Sequence, residues 1–195
     1  MSIARKLRPT LILFAMCAAP AFGQDWGVGA SIGYANDVEH RVRLRDFDPR
    51  DVNAWVDFRL EERVLFRATL GSIRTAGINS GLVTDIGGEE LELPGFKTNI
   101  DYLDVAAAYT FWEGDFTSGL FGGIGGYKID PDRVDPEFRE FQDREETVFG
   151  FHAGIDGDLR VYSRISIVGR ITFHKIFTDV NRSLLTANVG AAFRF

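Results

Sequence analysis

The chain has 195 residues, a formal net charge of −6 and a single cysteine, Cys17. Its length fits one domain of ordinary size, and its acidity argues against a nucleic-acid partner, because phosphate binding needs a basic surface. A single cysteine excludes an internal disulfide.

The first residues have the pattern of a secretory signal peptide. They contain three cations, the apolar run 11–19 and a small-residue motif: Arg5, Lys6 and Arg8, then Ala21, Phe22 and Gly23. The run is too short to cross a membrane as a helix, which takes about 20 residues, so the segment is predicted to be cleaved rather than to anchor the chain. Cleavage after Gly23, or as a second choice after Ala21, removes Cys17. A mature chain of about 172 residues would have a charge of about −9 and no cysteine, which excludes disulfides and thiolate metal sites.

Beyond residue 23, apolar and polar residues alternate with a period of two in eight stretches. Such alternation predicts β-strands with one apolar face. In the second stretch, for example, Val52, Val56 and Phe58 alternate with Asn53 and Asp57. The predicted strands span 26–34, 52–61, 64–71, 103–111, 116–127, 148–159, 164–174 and 185–195. In the glycine-rich fifth strand the expected outward residues are Phe116, Leu120 and Ile124.

The predicted connections alternate between short and long. Short turns near 61–63, 113–115 and 161–164 interleave with long polar segments at about 36–50, 75–99, 128–146 and 175–182. This asymmetry is typical of outer-membrane barrels, which have short periplasmic turns and long outer loops. The sequence therefore predicts an all-β fold, an eight-stranded antiparallel up-and-down transmembrane β-barrel over residues 24–195. The alternative is a soluble lipocalin-like barrel, in which the apolar faces would point inward around a ligand.

The faces opposite the apolar ones contain charges of both signs. Eight of them are expected to form a lumen charge network: Asp57, Arg59, Glu61, Arg67, Asp104, Asp156, Arg170 and Arg194. Because an eight-stranded barrel is just wide enough to be filled by side chains, these charges are expected to pair structurally. A narrow channel for small solutes is the alternative function.

Enzyme chemistry has little support in the sequence. Lipid A deacylases resemble this chain in size and place His and Ser two positions apart on one strand face. Here the residue two positions after His152 is Gly154, and the residue two positions after His174 is Ile176. His40 lies in a predicted loop, and the Asp-Ser pair of lipid A palmitoyltransferases does not occur. The acidic segment 130–137 lacks the order of an EF-hand. No catalytic residue, cofactor or metal site is predicted, and lipid A modification is the least favoured alternative.

The last strand alternates up to the final residue, with Leu185, Val189, Phe193 and Phe195 on one face. This end, together with the signal peptide, the strand count and the loop asymmetry, resembles the small eight-stranded outer-membrane barrel proteins. That class includes the barrel of outer-membrane protein A, the outer-membrane protein X type and the opacity-like surface proteins. The resemblance implies that Phe193 and Phe195 act as a terminal insertion signal.

The same resemblance implies the cell outer membrane as the location. The expected partners are outer-membrane lipid, lipopolysaccharide, the barrel-assembly machinery and periplasmic chaperones, with no nucleic acid. The expected protein is a non-enzymatic monomer with a structural or surface-interaction role. Its loop arginines, Arg41, Arg43, Arg45 and Arg50 in the first loop and Arg133, Arg139 and Arg144 in the third, would bind either lipopolysaccharide phosphates or an extracellular ligand, or pair with neighbouring acids.

Overall fold

The computed structural model describes residues 26–38, 51–76, 81–84, 90–93, 97–131, 144–178 and 182–195. The predicted signal peptide, 1–23, lies outside these residues. The strands are β1 (Trp26–Asp37), β2 (Asp51–Arg59), β3 (Val64–Ala76), β4 (Gly81–Thr84), β5 (Glu90–Leu93), β6 (Lys97–Trp112), β7 (Phe116–Pro131), β8 (Glu146–Arg160), β9 (Ile165–Ile176) and β10 (Arg182–Arg194).

Eight of these strands form a closed barrel in the order β1-β10-β9-β8-β7-β6-β3-β2. Every neighbouring pair is antiparallel, and β1 closes the ring by pairing with β10 from Gly27 opposite Arg194 to Asp37 opposite Leu184. The predicted eight-stranded antiparallel up-and-down barrel is confirmed. None of the described residues forms a helix long and apolar enough to cross a membrane.

Strands β4 and β5 form a separate two-stranded sheet. They pair from Gly81 opposite Leu93 to Thr84 opposite Glu90, within the segment 75–99 that was expected to be a long connection. The alternation of apolar and polar residues does not predict this hairpin. Its strands have only 4 residues each, too few for the alternation to stand out from a loop.

The two ends of the barrel differ in their connections. Three short turns join β2 to β3, β6 to β7 and β8 to β9, and the first is held by Leu60 N donating to Val64 O at 2.9 Å. We call the adjoining part of the barrel the short-turn section. The opposite part, next to the long connections, is the long-loop section, which comprises 34–37, 51–52, 72–76, 97–102, 127–131, 146–148, 174–176 and 182–184.

In the short-turn section, side-chain burial agrees with the predicted facing of the strands. On β9, Ile167 and Ile171 are exposed while Arg170 between them is buried. On β7, whose glycines obscure the pattern, Leu120 and Ile124 point outward as predicted. Large apolar side chains therefore cover the outer surface here, and the polar side chains lie inside.

The long-loop section differs in polarity. The strands continue past their predicted ends without a break in alternation, but many outward positions are now polar: Arg74, Lys97, Asn99, Asp101, Lys128, Asp130, Thr147 and Lys175. Val52 is an exposed apolar one. Buried polar residues of this section include Asp51 and the ion pair of Arg182 with Asp37 at 3.1 Å. Other inward positions form an apolar and nearly inaccessible cluster: Ala35, Ile73, Ile100, Tyr102, Tyr127, Ile129, Ile176 and Leu184. We call this inward cluster the apolar layer. Several of the strand ends had been assigned to loops because their outward residues are polar.

Candidate functional site: the lumen

An ion-pair cluster crosses the lumen of the short-turn section. The Arg67 guanidinium donates to both oxygens of Asp57, at 2.6 and 3.0 Å, and to Asp156 Oδ2 at 2.6 Å. Arg67 is directly opposite Asp57 in the β2–β3 register, whereas Asp156 reaches it from β8. Arg67 is 5% exposed, and its guanidinium also lies 5.8 Å from the ring centroids of Trp55 and Phe121. One buried cation therefore links two parts of the barrel wall.

A second cluster lies around Arg170. The Arg170 guanidinium is 4.3 Å from the ring centroid of Trp55. His152 Nδ1 lies 3.7 Å from Asp104 Oδ2, and His174 Nδ1 shares a 3.1 Å hydrogen bond with the Tyr127 hydroxyl. Arg170, Asp104, His152 and His174 are all at most 6% exposed. The cluster is enclosed within the protein rather than open to a substrate.

Inward glycines provide the space for the large aromatic rings of the lumen. A Cβ on Gly29 would overlap the indole of Trp55, and one on Gly71 would overlap the phenol of Tyr102. Small residues in these positions therefore accommodate aromatic side chains on the neighbouring strands.

A cavity of about 360 Å³ opens at the short-turn end. Trp55 and Arg67 line it on the inside, and Arg194, which donates to Asp158 Oδ2 at 2.7 Å, lines it nearer the end. Arg59 lines it as well and donates to the backbone carbonyl of Glu62 at 2.7 Å. This cavity is a polar vestibule that ends at the Arg67 cluster.

The structure places most of the predicted lumen charges inside the barrel. Asp57, Arg67 and Asp156 form one cluster, Asp104 and Arg170 belong to the second, and Arg59 and Arg194 line the vestibule. That these charges act together as one network stays a prediction.

Glu61 is a correction. β2 ends at Arg59, so Glu61 lies in the exposed turn to β3 rather than on an inward face. The turn hydrogen bond from Glu61 N to Val64 O, at 3.1 Å, holds it there.

Several inward charges lie outside the predicted lumen set. Asp37 and Arg182, predicted to lie in the first and fourth loops, are buried and pair at 3.1 Å. Asp51, which is buried, and Asp158, which is partly buried, are two further acids. Asp51, assigned to the first loop, is 0% exposed and accepts hydrogen bonds from Asn188 at 2.6 Å and Tyr102 at 3.2 Å. Asp158 pairs with Arg194. Asp51 lies two positions before Asn53, and Asp158 lies two positions after Asp156. Asn53 and Asp156 were predicted to face inward, so the alternation could also have identified Asp51 and Asp158 as inward residues.

The two chain ends of the barrel meet at one seam. The rings of Trp26 and Phe195 stack with centroids 3.7 Å apart and planes 5° from parallel. Phe195 N donates to Trp26 O at 2.9 Å, and Phe193 packs edge-on against Phe195 at 4.8 Å. The predicted insertion-signal residues therefore lie where the barrel closes.

Two buried histidines lie side by side in the lumen. His152 and His174 face each other across the β8–β9 pair with ring centroids 6.0 Å apart. Within the part of the chain that the structure describes, no group of three or more His, Cys, Asp or Glu residues is placed to hold a metal ion.

The chain matches the family model described as the outer membrane protein beta-barrel domain over residues 10–194. It therefore belongs to this family, and its location is the outer membrane. In such barrels the short turns face the periplasm and the long loops face the exterior. The apolar outer surface of the short-turn section is thus the lipid-facing surface.

Solved structures with the same fold come from several bacteria. A major outer membrane protein of Thermus thermophilus has a TM-score of 0.66 at 13% identity, covering 89% of this chain and 100% of that one. Neisserial surface protein A has a TM-score of 0.59 at 10% identity, covering 89% and 97%. Ail of Yersinia pestis, solved in complex with the heparin analogue sucrose octasulfate, has a TM-score of 0.53 at 14% identity, covering 88% and 97%. No curated protein matches the chain in sequence.

Proposed function

We propose that the protein is a non-enzymatic, non-conducting outer-membrane barrel whose long-loop end serves as a surface for interaction. The observation that carries this proposal is the reversed polarity of the long-loop section. Polar outward residues such as Arg74, Lys97 and Lys128 do not suit hydrocarbon, while an apolar interior suits a segment surrounded by water. The section would thus project beyond the lipid as a rigid support for the four long connections.

The filled lumen argues against the channel alternative. The apolar layer occupies the interior of the long-loop section, with members such as Ile73, Ile100 and Tyr127 at 0% exposure. In the short-turn section, Arg67 spans the lumen by pairing with Asp57 and Asp156. An ion would have to displace both the apolar side chains and the paired charges.

Planar-bilayer recordings test this point directly. The full chain is expected to give no conductance above the protein-free background. The Arg59→Ala and Arg170→Ala variants are expected to stay silent as well, because neither residue belongs to the apolar layer. Stable conductance steps from the unmodified protein would favour the channel instead.

The enzyme alternative has its own test. Expression of the protein is expected to leave the masses of lipid A unchanged. A new lipid A species that disappears in the His152→Ala or His174→Ala variant would overturn the non-enzymatic proposal.

The arginines of the predicted loops, which lie among at least as many acids, are the basis for proposing an extracellular ligand. The first and third predicted loops contain arginines, most of which lie outside the described residues, and guanidinium groups bind phosphates and sulfates in a bidentate manner. The similar fold of Ail, solved with a sulfated sugar, makes sucrose octasulfate a suitable probe. We propose a polyanion, either lipopolysaccharide phosphate or a sulfated glycan, as the partner of these loops.

Titration of the full chain in lipid nanodiscs would test this ligand class. Replacing Arg41, Arg43, Arg45 and Arg50 by Gln is expected to weaken sucrose octasulfate binding and leave the barrel folded. Arg63→Gln, in the periplasmic turn, is the matched control and is expected to have no effect. Equal weakening by both variants, or no saturable binding by the parent, would contradict the polyanion proposal.

Export and assembly complete the proposed function. The signal peptide 1–23 would direct the chain to periplasmic chaperones, and Phe193 and Phe195 would be recognised by the barrel-assembly machinery before the seam closes. The mass of the mature protein tests cleavage after Gly23, and its mass in nanodiscs tests whether it is a monomer.

Phe195→Ala is expected to lower the amount of protein in the outer membrane of cells more than Phe151→Ala, a lipid-facing control, even where both variants refold equally in vitro.

A further inference from the structure

The cluster around Arg170 contains polar atoms that the protein itself does not satisfy. Nε and Nη2 of Arg170, Oδ1 of Asp104 and Nδ1 of His152 are buried and have no hydrogen-bond partner among protein atoms. Arg170 is 6% exposed and Asp104 is 3% exposed. Because a buried charged group without a partner is costly, these atoms point to a ligand between them.

The space between these side chains is small. A cavity of about 10 Å³ is lined by Arg170, Asp104, His152, His174 and Asn188, with Arg67 at one side. A buried water molecule needs roughly 10 to 15 Å³ by this measure and two to four polar partners. The cavity therefore has room for one water-sized ligand.

The charges around the cavity select its occupant. Arg67 and Arg170 disfavour a cation, and the Asp104 carboxylate disfavours an anion. Water can accept from the Arg170 N–H groups and donate to Asp104 Oδ1 at the same time. Neither a halide nor a metal ion can satisfy both kinds of atom.

We propose that this cavity is a hydration site, in which one buried water molecule joins the guanidinium of Arg170 to the carboxylate of Asp104. His152 Nδ1 is a third partner within the same lining. The water takes the place of a direct ion pair, so that Arg170 keeps its position over the Trp55 ring. This site is separate from the surface on which the proposed function depends.

The site lies between the two sections of the barrel. Arg67 lines both the small cavity and the vestibule at the short-turn end. On the opposite side, Tyr102 belongs to the apolar layer and also lines the small cavity. Arg67 therefore separates the proposed water site from the vestibule, and Tyr102 separates it from the long-loop end.

A high-resolution crystal structure of the full barrel tests the proposal. We expect a solvent peak within hydrogen-bond distance of Arg170 Nε or Nη2 and of Asp104 Oδ1, and no anomalous signal there after a bromide soak. A bromide peak would overturn the assignment in favour of a halide. A direct Arg170–Asp104 ion pair with no solvent peak would overturn the site altogether.

Two variants and one solution measurement sharpen the test. Arg170→Met removes the donors and is expected to abolish the peak, whereas Asp104→Asn retains Oδ1 and is expected to keep it. The reverse pattern would contradict the proposed partners. In nanodiscs, the Arg170 Nε–H of the unmodified protein is expected to show an NMR cross-peak to bound water. Its absence would contradict the proposal even if Arg170→Met failed to fold.

Discussion

On β6, Leu103 points into lipid at 54% exposure, whereas Ile100, three residues earlier on the same strand, is 0% exposed inside the barrel. The same contrast separates the two sections of the whole molecule. In the short-turn section the apolar side chains point outward and ion pairs fill the lumen. In the long-loop section many outward side chains are polar, and the apolar layer lies inside together with the buried Arg182–Asp37 ion pair.

The surroundings, and not the strand itself, decide which face of a strand is apolar. Both sections have the same period of two, and the hydrogen-bonded register of β6 with β7 runs through both, from Thr98 opposite Pro131 to Tyr109 opposite Leu120. In lipid, the barrel is stabilised by apolar side chains on its outer surface. In water, it is stabilised by apolar side chains in its interior. We therefore expect the level at which the outward side chains become polar to mark the outer edge of the lipid.

The largest effect is expected from breaking the polar interior of the short-turn section. Arg67→Met removes the buried cation from the partly buried carboxylates of Asp57 and Asp156, which is expected to cost about 3–5 kcal/mol of unfolding free energy. Urea titration in lipid vesicles, followed by tryptophan fluorescence, measures this loss. Arg59→Met removes a vestibule guanidinium with one backbone hydrogen bond, and its expected cost is about 1 kcal/mol. Equal losses would show that the buried pairing is not what stabilises this section.

The apolar layer of the long-loop section is expected to come next. Ile100→Ala leaves a cavity in a packed interior and is expected to cost about 2–5 kcal/mol. Leu103→Ala is the matched control on the same strand. Its cost should be clearly smaller, because lipid chains are as apolar as leucine and fill the space. The same unfolding assay compares them, and a Leu103→Ala loss as large as that of Ile100→Ala would argue against the two-section description.

Arginine substitutions on the outer surface test the position of the lipid edge. Ala107→Arg places a charge in the middle of the outward apolar run of β6, where it is expected to cost about 2–4 kcal/mol. Thr147→Arg places the same charge on an exposed outward position of the long-loop section, where about 0–1 kcal/mol is expected. Should Thr147→Arg prove as destabilising in vesicles as Ala107→Arg, the long-loop section would lie in lipid after all.

The smallest effect is expected from a single methyl group. Gly29→Ala would push a Cβ into the Trp55 indole, and overpacking of this kind costs about 1–3 kcal/mol. Gly169→Ala adds the same methyl group where no atom lies within 4 Å, so the free energy of unfolding should change little. A matching loss in Gly169→Ala would point to the strand backbone rather than to aromatic packing.

Much of the fold could be predicted because each barrel strand keeps its alternation over many residues. The second predicted strand, 52–61, differs from β2 by only a residue or two at each end. Prediction failed where polarity reversed. The pattern predicts loops that include 97–99 and 128–131 and predicts no strand at 100–102, although the inward Ile100 and Ile129 continue the alternation.

The candidate site was predictable only in part. Arg67 and Asp57 lie on adjacent strands joined by a short turn, so their pairing follows from the register. The second partner, Asp156, comes from β8 and lies 89 residues away in sequence. The periodicity predicts that Asp156 faces inward, but it cannot predict that Asp156 pairs with Arg67. The reason is that β3 and β8 face each other only when the barrel closes.

Local patterning and turn length are sufficient to predict the class of this protein, because they give the strand number, the facing in the short-turn section and the alternation of short and long connections. How the lumen is filled depends on the folded barrel. Which acid Arg67 binds, why Arg170 stacks on Trp55 and where the apolar layer closes the interior all depend on side chains from distant strands. Those side chains meet because closing the sheet brings every inward face to one axis.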